Sequence, residues 1–307
     1  MHLDPKVFLD ARIPFGANLA PILPAMAKQA KKELKSVSNR KKQPRVTDEI
    51  RSFLLEKADV FEVPDFIPDD PISVPHGFAH PRDIELAGFI AASLAWGQRK
   101  TILNNAQRLI ERMDSAPAEF LRAASSEELA VAADGFVHRT FQPRDALVFL
   151  HALQVLLQQF GSLEKAFIPA ETSPPSATVE PHLIAFHERF FEAAASRGFA
   201  ADRTRKHVAS PARGSATKRL NMFLRWMVRS PRRGVDFGIW KEIRAHQLMI
   251  PLDVHTGNVG RKLGLLERNA SDWRAVEELM GSLREVDAED PVRLDFALFG
   301  LGAVEGF

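Results

Sequence analysis

Cysteine is absent from all 307 residues. That one absence excludes disulfides, a catalytic thiol, cysteine-ligated zinc and cysteine-held iron–sulfur clusters. Tyrosine is absent too, beside 22 phenylalanines. No stretch approaches the ~18 consecutive apolar residues of a membrane-spanning helix. The opening MHLDPKVFLDARIPFGANLAP lacks the basic-then-apolar order of a secretory signal. A soluble, cytoplasmic chain with no membrane partner is the expectation. Runs that alternate apolar and polar residues between hairpin dipeptides are also missing, so strands are not expected. What remains is 45% hydrophobic and 26% charged, a composition that folds, in a length that allows one large unit or two small ones.

The net charge is only +2, but its distribution is uneven. Residues 1–46 hold ten Lys/Arg against three acids, a net of +7, and residues 202–244 hold twelve against three, a net of +9. The rest of the chain therefore carries −14. Two basic blocks on an acidic chain suit a nucleic-acid binder, because Lys and Arg displace counterions from phosphates. The plainer account of the first block is a solubilising tail. The second block interleaves its charges with a helical apolar pattern, which a tail does not do.

KKELKSVSNRKKQPR (residues 31–45) reads as a flexible lead, so residues 1–46 form a basic extension and residues 47–307 a helical body. Thr47 is placed to cap DEIRSFLLEKADVF, and a Pro-punctuated loop follows. Asp83 opens DIELAGFIAASLAWGQRKTILNNAQRLIERM, with Gly97 as the break between two helices. Further helices read at SSEELAVAADGF, RDALVFLHALQVLLQQF and HLIAFHERFFEAAAS. Between the last two, residues 171–181 (ETSPPSATVEP) read as a surface loop or lobe boundary. The chain is expected to be all-α.

Chemistry concentrates in residues 210–266. Pro211, Gly214, Ser215 and Thr217 form a turn leading into a helix with Leu220, Phe223, Leu224 and Met227 on one face. Lys218 then sits in the first turn, where free N–H groups and the helix dipole attract a phosphate and disfavour a cation. Further on, IPLDVHTGNVGRKLG places Asp253 at the start of another helix. Taken alone, Asp253 reads first as a helix cap, the commonest use of such an aspartate, and only second as a working carboxylate.

GSATK followed by PLDVH resembles the GVGxK and PVDxH elements of the helix-hairpin-helix (HhH-GPD) DNA glycosylases, the 8-oxoguanine glycosylases in particular. Ala216 stands where a second glycine is usual, Pro211 is displaced, and the lysine-to-aspartate spacing is long, which is more similar to the archaeal 8-oxoguanine branch. From about residue 47 onward the chain is similar to a largely uncharacterised bacterial family related to that branch. DPISVPHGF, SATKRLNMFLRWMVR, IPLDVHTGNVGRKLGLL and DFALFGLG are among the stretches that carry the similarity.

The resemblance implies a two-lobed helical fold with a degenerate hairpin and a cleft between the lobes. By motif position it implies Lys218 as the nucleophile on the deoxyribose, Asp253 as the supporting carboxylate and Gly214 as the hairpin glycine. The partner implied is double-stranded DNA containing a damaged base, bound by a monomer without a cofactor. The expected activity is glycosylase and AP lyase chemistry on an oxidised purine, 8-oxoguanine favoured. A non-catalytic nucleic-acid module on the same fold, and an enzyme acting on another modified base, are the rivals.

Around that core, Ser215, Thr217, Arg219, Arg225, Arg229, Arg232 and Arg233 are expected to contact phosphates. Trp96 and Gln98, at the helix break, suit a flipped base by stacking and edge contacts, or else serve as core and cap. His76 and His80 have H-x-x-x-H spacing but lack the helix and adjacent Glu of a zinc site, so no metal is expected. Asp295 heads an apolar C-terminal segment and is read as structural.

Overall fold

The structure is a computed structural model that describes residues 46–170, 176–200 and 202–307. The basic extension up to residue 45, and residues 171–175 of the Pro-rich stretch, lie outside the described residues. Within them the chain forms thirteen α-helices joined by loops and 3-10 turns, and no strand.

Helix α1 (Asp48–Phe61) begins where Thr47 accepts the Ile50 N–H on its side-chain oxygen at 3.3 Å, and buries Ile50, Leu54 and Ala58. A short α2 (Ser73–His76) precedes α3 (Pro81–Ser93), which is buried continuously from Ile84 to Ser93. Such a helix must lie at the centre of the molecule, since a surface helix keeps a polar face. Its one charged buried residue, Glu85, accepts the Glu164 N–H at 3.0 Å and the Trp240 indole N–H at 2.8 Å. Burial nevertheless pushes the Glu85 carboxyl up. Gly97, at φ +108°, supplies the backbone that turns the chain into α4 (Arg99–Glu111).

Helices α5 (Pro117–Ala123), α6 (Ser126–Ala133), α7 (Pro143–Phe160), α8 (Leu163–Phe167) and α9 (Glu180–Ser196) pack mainly on one another around α7. After two 3-10 turns come α10 (Lys218–Val228), α11 (Val254–Lys262), α12 (Trp273–Val286) and α13 (Leu294–Ala303). Helix α10 lies on α3, while α13 lies on α1 and α11, so the two ends of the described chain meet.

The phenylalanine excess has a place. Phe89 sits among Phe149, Phe186, Phe190 and Phe223 at ring separations of 5.4 to 6.1 Å, and Phe167 stacks on Phe186 at 3.8 Å. Side chains so deeply enclosed carry no hydroxyl that needs a partner. Close packing recurs where α13 crosses α1. A Cβ on Gly300 would overlap the Phe61 ring. Gly300→Ala is therefore expected to lower stability by about 1–3 kcal/mol, read as a lower urea midpoint at constant m. An unchanged midpoint would show that the Phe61 ring swings clear.

A buried ionic layer runs beneath α10. Arg229, 2% exposed, binds Glu62 at 2.6 Å, Asp290 at 2.8 Å and Asp236. Arg225, 3% exposed, binds Asp295 at 2.6 Å and Asp236 at 3.4 Å. Arg233 and Arg293 share Asp59 at the edge of this layer. This corrects the expectation that Arg225 and Arg229 contact phosphates. Their guanidinium groups are enclosed and neutralised by four carboxylates of the chain, and Arg233 divides Asp59 with Arg293. Arg232 is exposed.

Candidate active site

The turn before α10 is built from a 3-10 segment, Pro211–Arg213, rather than from an α-helix. Gly214 follows in the left-handed region at φ +75°, and its carbonyl accepts the Trp273 N–H at 3.0 Å, which pins the turn to α12. Thr217 is also left-handed, at φ +45°. A β-branched residue rarely tolerates that conformation, and such strain clusters at functional sites. Thr217 is 3% exposed, its hydroxyl has no partner among the described residues, and its N–H donates to the Ser215 hydroxyl at 3.2 Å. The strained residue delivers Lys218 as the first residue of α10.

Asp253 arrives from the other side. It is the N-cap of α11, and its Oδ1 accepts the Thr256 N–H at 2.9 Å. Its second oxygen, Oδ2, faces Lys218 Nζ at 3.9 Å. The cap and the carboxylate partner are thus one residue using two oxygens. Asn221, fully buried on α10, fixes the approach of the two segments, because its amide donates to the carbonyls of Ala216 at 3.2 Å and Ile250 at 3.4 Å.

Lys218 and Asp253 open on a cleft of about 760 Å³. Its walls include Phe66, Trp96, Gly97, Arg99, Lys206, Arg219, His255 and Phe299, and its deep end holds the buried Asp70, Asp295 and Arg225. Burial pushes the Asp295 carboxyl up to about 6 against the pull of Arg225, helped by the charge of Asp253. Burial also raises Asp70, whose Oδ1 accepts the Ile72 N–H at 3.0 Å. Asp295 accordingly has both an ion-pairing role and a place on the cleft. Neither Asp70 nor Asn221 had been marked by sequence reasoning. Asp70 opens DPISVPHGF, a stretch quoted only for its similarity, in an irregular Pro-rich loop where nothing local gives the carboxylate a role.

Trp96 is half-buried on the cleft wall. The His207 ring stacks on it at 5.4 Å, His138 meets it edge-on at 4.7 Å, and the Arg219 guanidinium lies over it at 4.6 Å. Gln98 is exposed, does not line the cleft and makes no side-chain cap bond to α4, so it fits neither the base-pocket nor the cap expectation. Its side chain is carried outward once Gly97 has turned the chain. His76 holds the Val235 carbonyl at 2.8 Å while His80 stands exposed beside Asp83. Among the described residues no three His, Asp or Glu side chains converge as metal ligands would.

His207 offers a pH test of this wall. Burial and the surrounding cations hold its imidazole down at about 4, although Asp145 opposes them. Against an ordinary value of 6.5, the folded chain binds fewer protons than the unfolded chain between those limits. The contribution of His207 to stability is complete above pH 6.5 and is lost as pH falls toward 4. His207→Phe keeps an aromatic ring against Trp96 but cannot titrate. The melting temperature of the parent protein should therefore fall relative to that variant on acidification from pH 7 to 4.5. Parallel curves would assign the titration elsewhere.

No helix among the described residues is long and apolar enough to cross a membrane. No curated protein matches the chain, and no solved structure does. A family model described as "Protein of unknown function (DUF2400)" matches residues 70–304, from Asp70 at the deep end of the cleft through α13, and the chain belongs to that family.

Proposed function

We propose that the protein is a DNA N-glycosylase with AP lyase activity, folded as a two-lobed helix-hairpin-helix glycosylase with a degenerate hairpin, that excises an oxidised purine, 8-oxoguanine first among the candidates. The observation that carries this reading is the amine of Lys218 facing a free carboxylate oxygen of Asp253 at 3.9 Å on an open cleft. The resemblance of GSATK and PLDVH to the glycosylase elements supports it. So does the cleft volume, which lies within the roughly 300–1,000 Å³ range of ligand sites.

In this mechanism a nucleotide is extruded from the duplex so that C1′ of its sugar meets Lys218. Lys218 gives a proton to Asp253 and attacks C1′ with the freed electron pair. The C1′–N bond to the base breaks, and the base leaves with that electron pair and takes up a proton. Opening of the sugar ring breaks C1′–O4′, O4′ is protonated, and a C1′=N iminium remains. Loss of a proton from C2′ then expels the 3′ phosphate by cleavage of C3′–O3′, and water later releases the amine. Asp253 passes the proton it took to the departing base, and the carboxylate so restored stabilises the cationic sugar. Thr256 holds the other oxygen of that carboxylate in place throughout.

The test is borohydride reduction of the protein mixed with a panel of single-lesion duplexes. A covalent protein–DNA adduct and strand scission on at least one lesion are expected. Tight binding with neither product across the panel would reduce the protein to a docking module.

A further inference from the structure

Three arginines along and just past α10 are largely withdrawn from solvent, and they differ in one respect. Arg225 and Arg229 each meet carboxylates. Arg219 meets none among the described residues. Its Nη1 donates to the Ser93 carbonyl at 2.6 Å, its Nη2 to the Lys206 carbonyl at 3.0 Å, and its plane lies over Trp96. Burial draws this guanidinium down to about 10, and no acid opposes the shift. A charge taken out of water is ordinarily paired or ligated. Among the described residues only two neutral acceptors meet its five N–H groups, and the residue lines the cleft. Lys206, exposed on the same wall, has no acid within ion-pairing distance among the described residues either.

We infer that Arg219, backed by Trp96 and assisted by Lys206, seats one phosphodiester of the substrate strand next to the reacting nucleotide. The inference rests on the nucleic-acid part of the proposed function but not on the Schiff-base chemistry. A planar guanidinium fixed by two carbonyls presents its remaining N–H groups in one orientation, which suits two oxygens of one phosphate. Adjacent residues of α10 would then divide the labour: Lys218 attacks the sugar while Arg219 fixes the strand that carries it. The competing account makes Arg219 a staple joining the end of α3 to the Lys206 loop.

The two accounts separate in a methylphosphonate scan. Duplexes with an uncleavable abasic analogue are prepared with one backbone charge removed at a time around the analogue, so that binding is read without any chemistry. For the parent protein, neutralising one phosphate should weaken binding about tenfold, as expected for loss of a charge-assisted contact. Arg219→Gln should become indifferent to that same phosphate while remaining sensitive to the others. Arg219→Lys, which retains charge without the planar fork, should recover part of the sensitivity. Arg144→Gln, at an exposed cation off the cleft, should show the parent's pattern. Equal sensitivity of Arg219→Gln at every position would leave a staple, and a flat scan in the parent protein would overturn the seat. If Arg219→Gln does not fold, the Arg219→Lys scan decides alone: a profile identical to the parent's overturns the inference. Failure of borohydride trapping beside a positive scan would remove the lyase reading and keep the seat. Competition by a nucleoside monophosphate as effective as the oligonucleotide would point to a free nucleotide and overturn the strand assignment.

Discussion

Lys218→Gln is expected to abolish both the borohydride adduct and strand scission, while duplex affinity falls by less than about tenfold. Only an amine forms an imine with C1′, so glutamine removes the reacting group without a substitute. The side chain of Lys218 is 34% exposed, and its one ionic contact among the described residues, with Asp253, spans 3.9 Å. An ion pair of that exposure contributes roughly 0–1 kcal/mol, so the melting temperature should move little. Binding loses one phosphate-attracting charge, which lowers the salt-dependence slope by about 0.9 at most. The signature is therefore a near-total loss of product at almost unchanged stability and modestly reduced affinity. Residual adduct at the parent level would mean that another amine, Lys206 on the same cleft being the nearest alternative in kind, forms the imine.

Local signals in the sequence were legible because they are set by a few neighbouring residues. Thr47 as the cap of α1, Gly97 as the break between α3 and α4, Lys218 in the first turn of α10 and Asp253 capping α11 all follow from side chains within four positions of the feature. The absence of alternating runs correctly predicted a helical chain. Partners distant in the chain were not legible. Arg229 reads as one more cation of a basic stretch until the fold brings Glu62 and Asp290 to it from 167 and 61 residues away. The same holds for Arg225 and Asp295, 70 residues apart, and for Asn221 bridging to Ile250. The charge count of residues 202–244 was correct as arithmetic but overstated the available positive surface, because part of it is neutralised inside the protein. Asp70 escaped notice for the converse reason: burial, not spacing, is what distinguishes it.

Asp253→Asn carries the second large effect, and the two oxygens of this residue define it. Oδ1 serves α11 through Thr256 while Oδ2 serves Lys218. Asparagine caps a helix about as well as aspartate, so its side-chain oxygen keeps the Thr256 bond and the melting temperature should stay within about a degree of the parent's. The other position becomes an amide, which neither takes a proton from Lys218 nor balances positive charge on the sugar. Loss of one electrostatic partner in the transition state is worth about 2.7–4 kcal/mol, which is a factor of about 10²–10³ in the rate of base excision. Single-turnover kinetics on the best lesion duplex, read beside thermal melting of the same variant, give the two quantities separately. Asp253→Ala supplies the contrast, because it removes the cap as well and should lose about 1 kcal/mol of stability in addition to the rate. A variant Asp253→Asn that melts and reacts like the parent would leave this aspartate as a helix cap and leave Lys218 without its proton acceptor. One that melts normally and reacts slowly assigns the rate to Oδ2 alone.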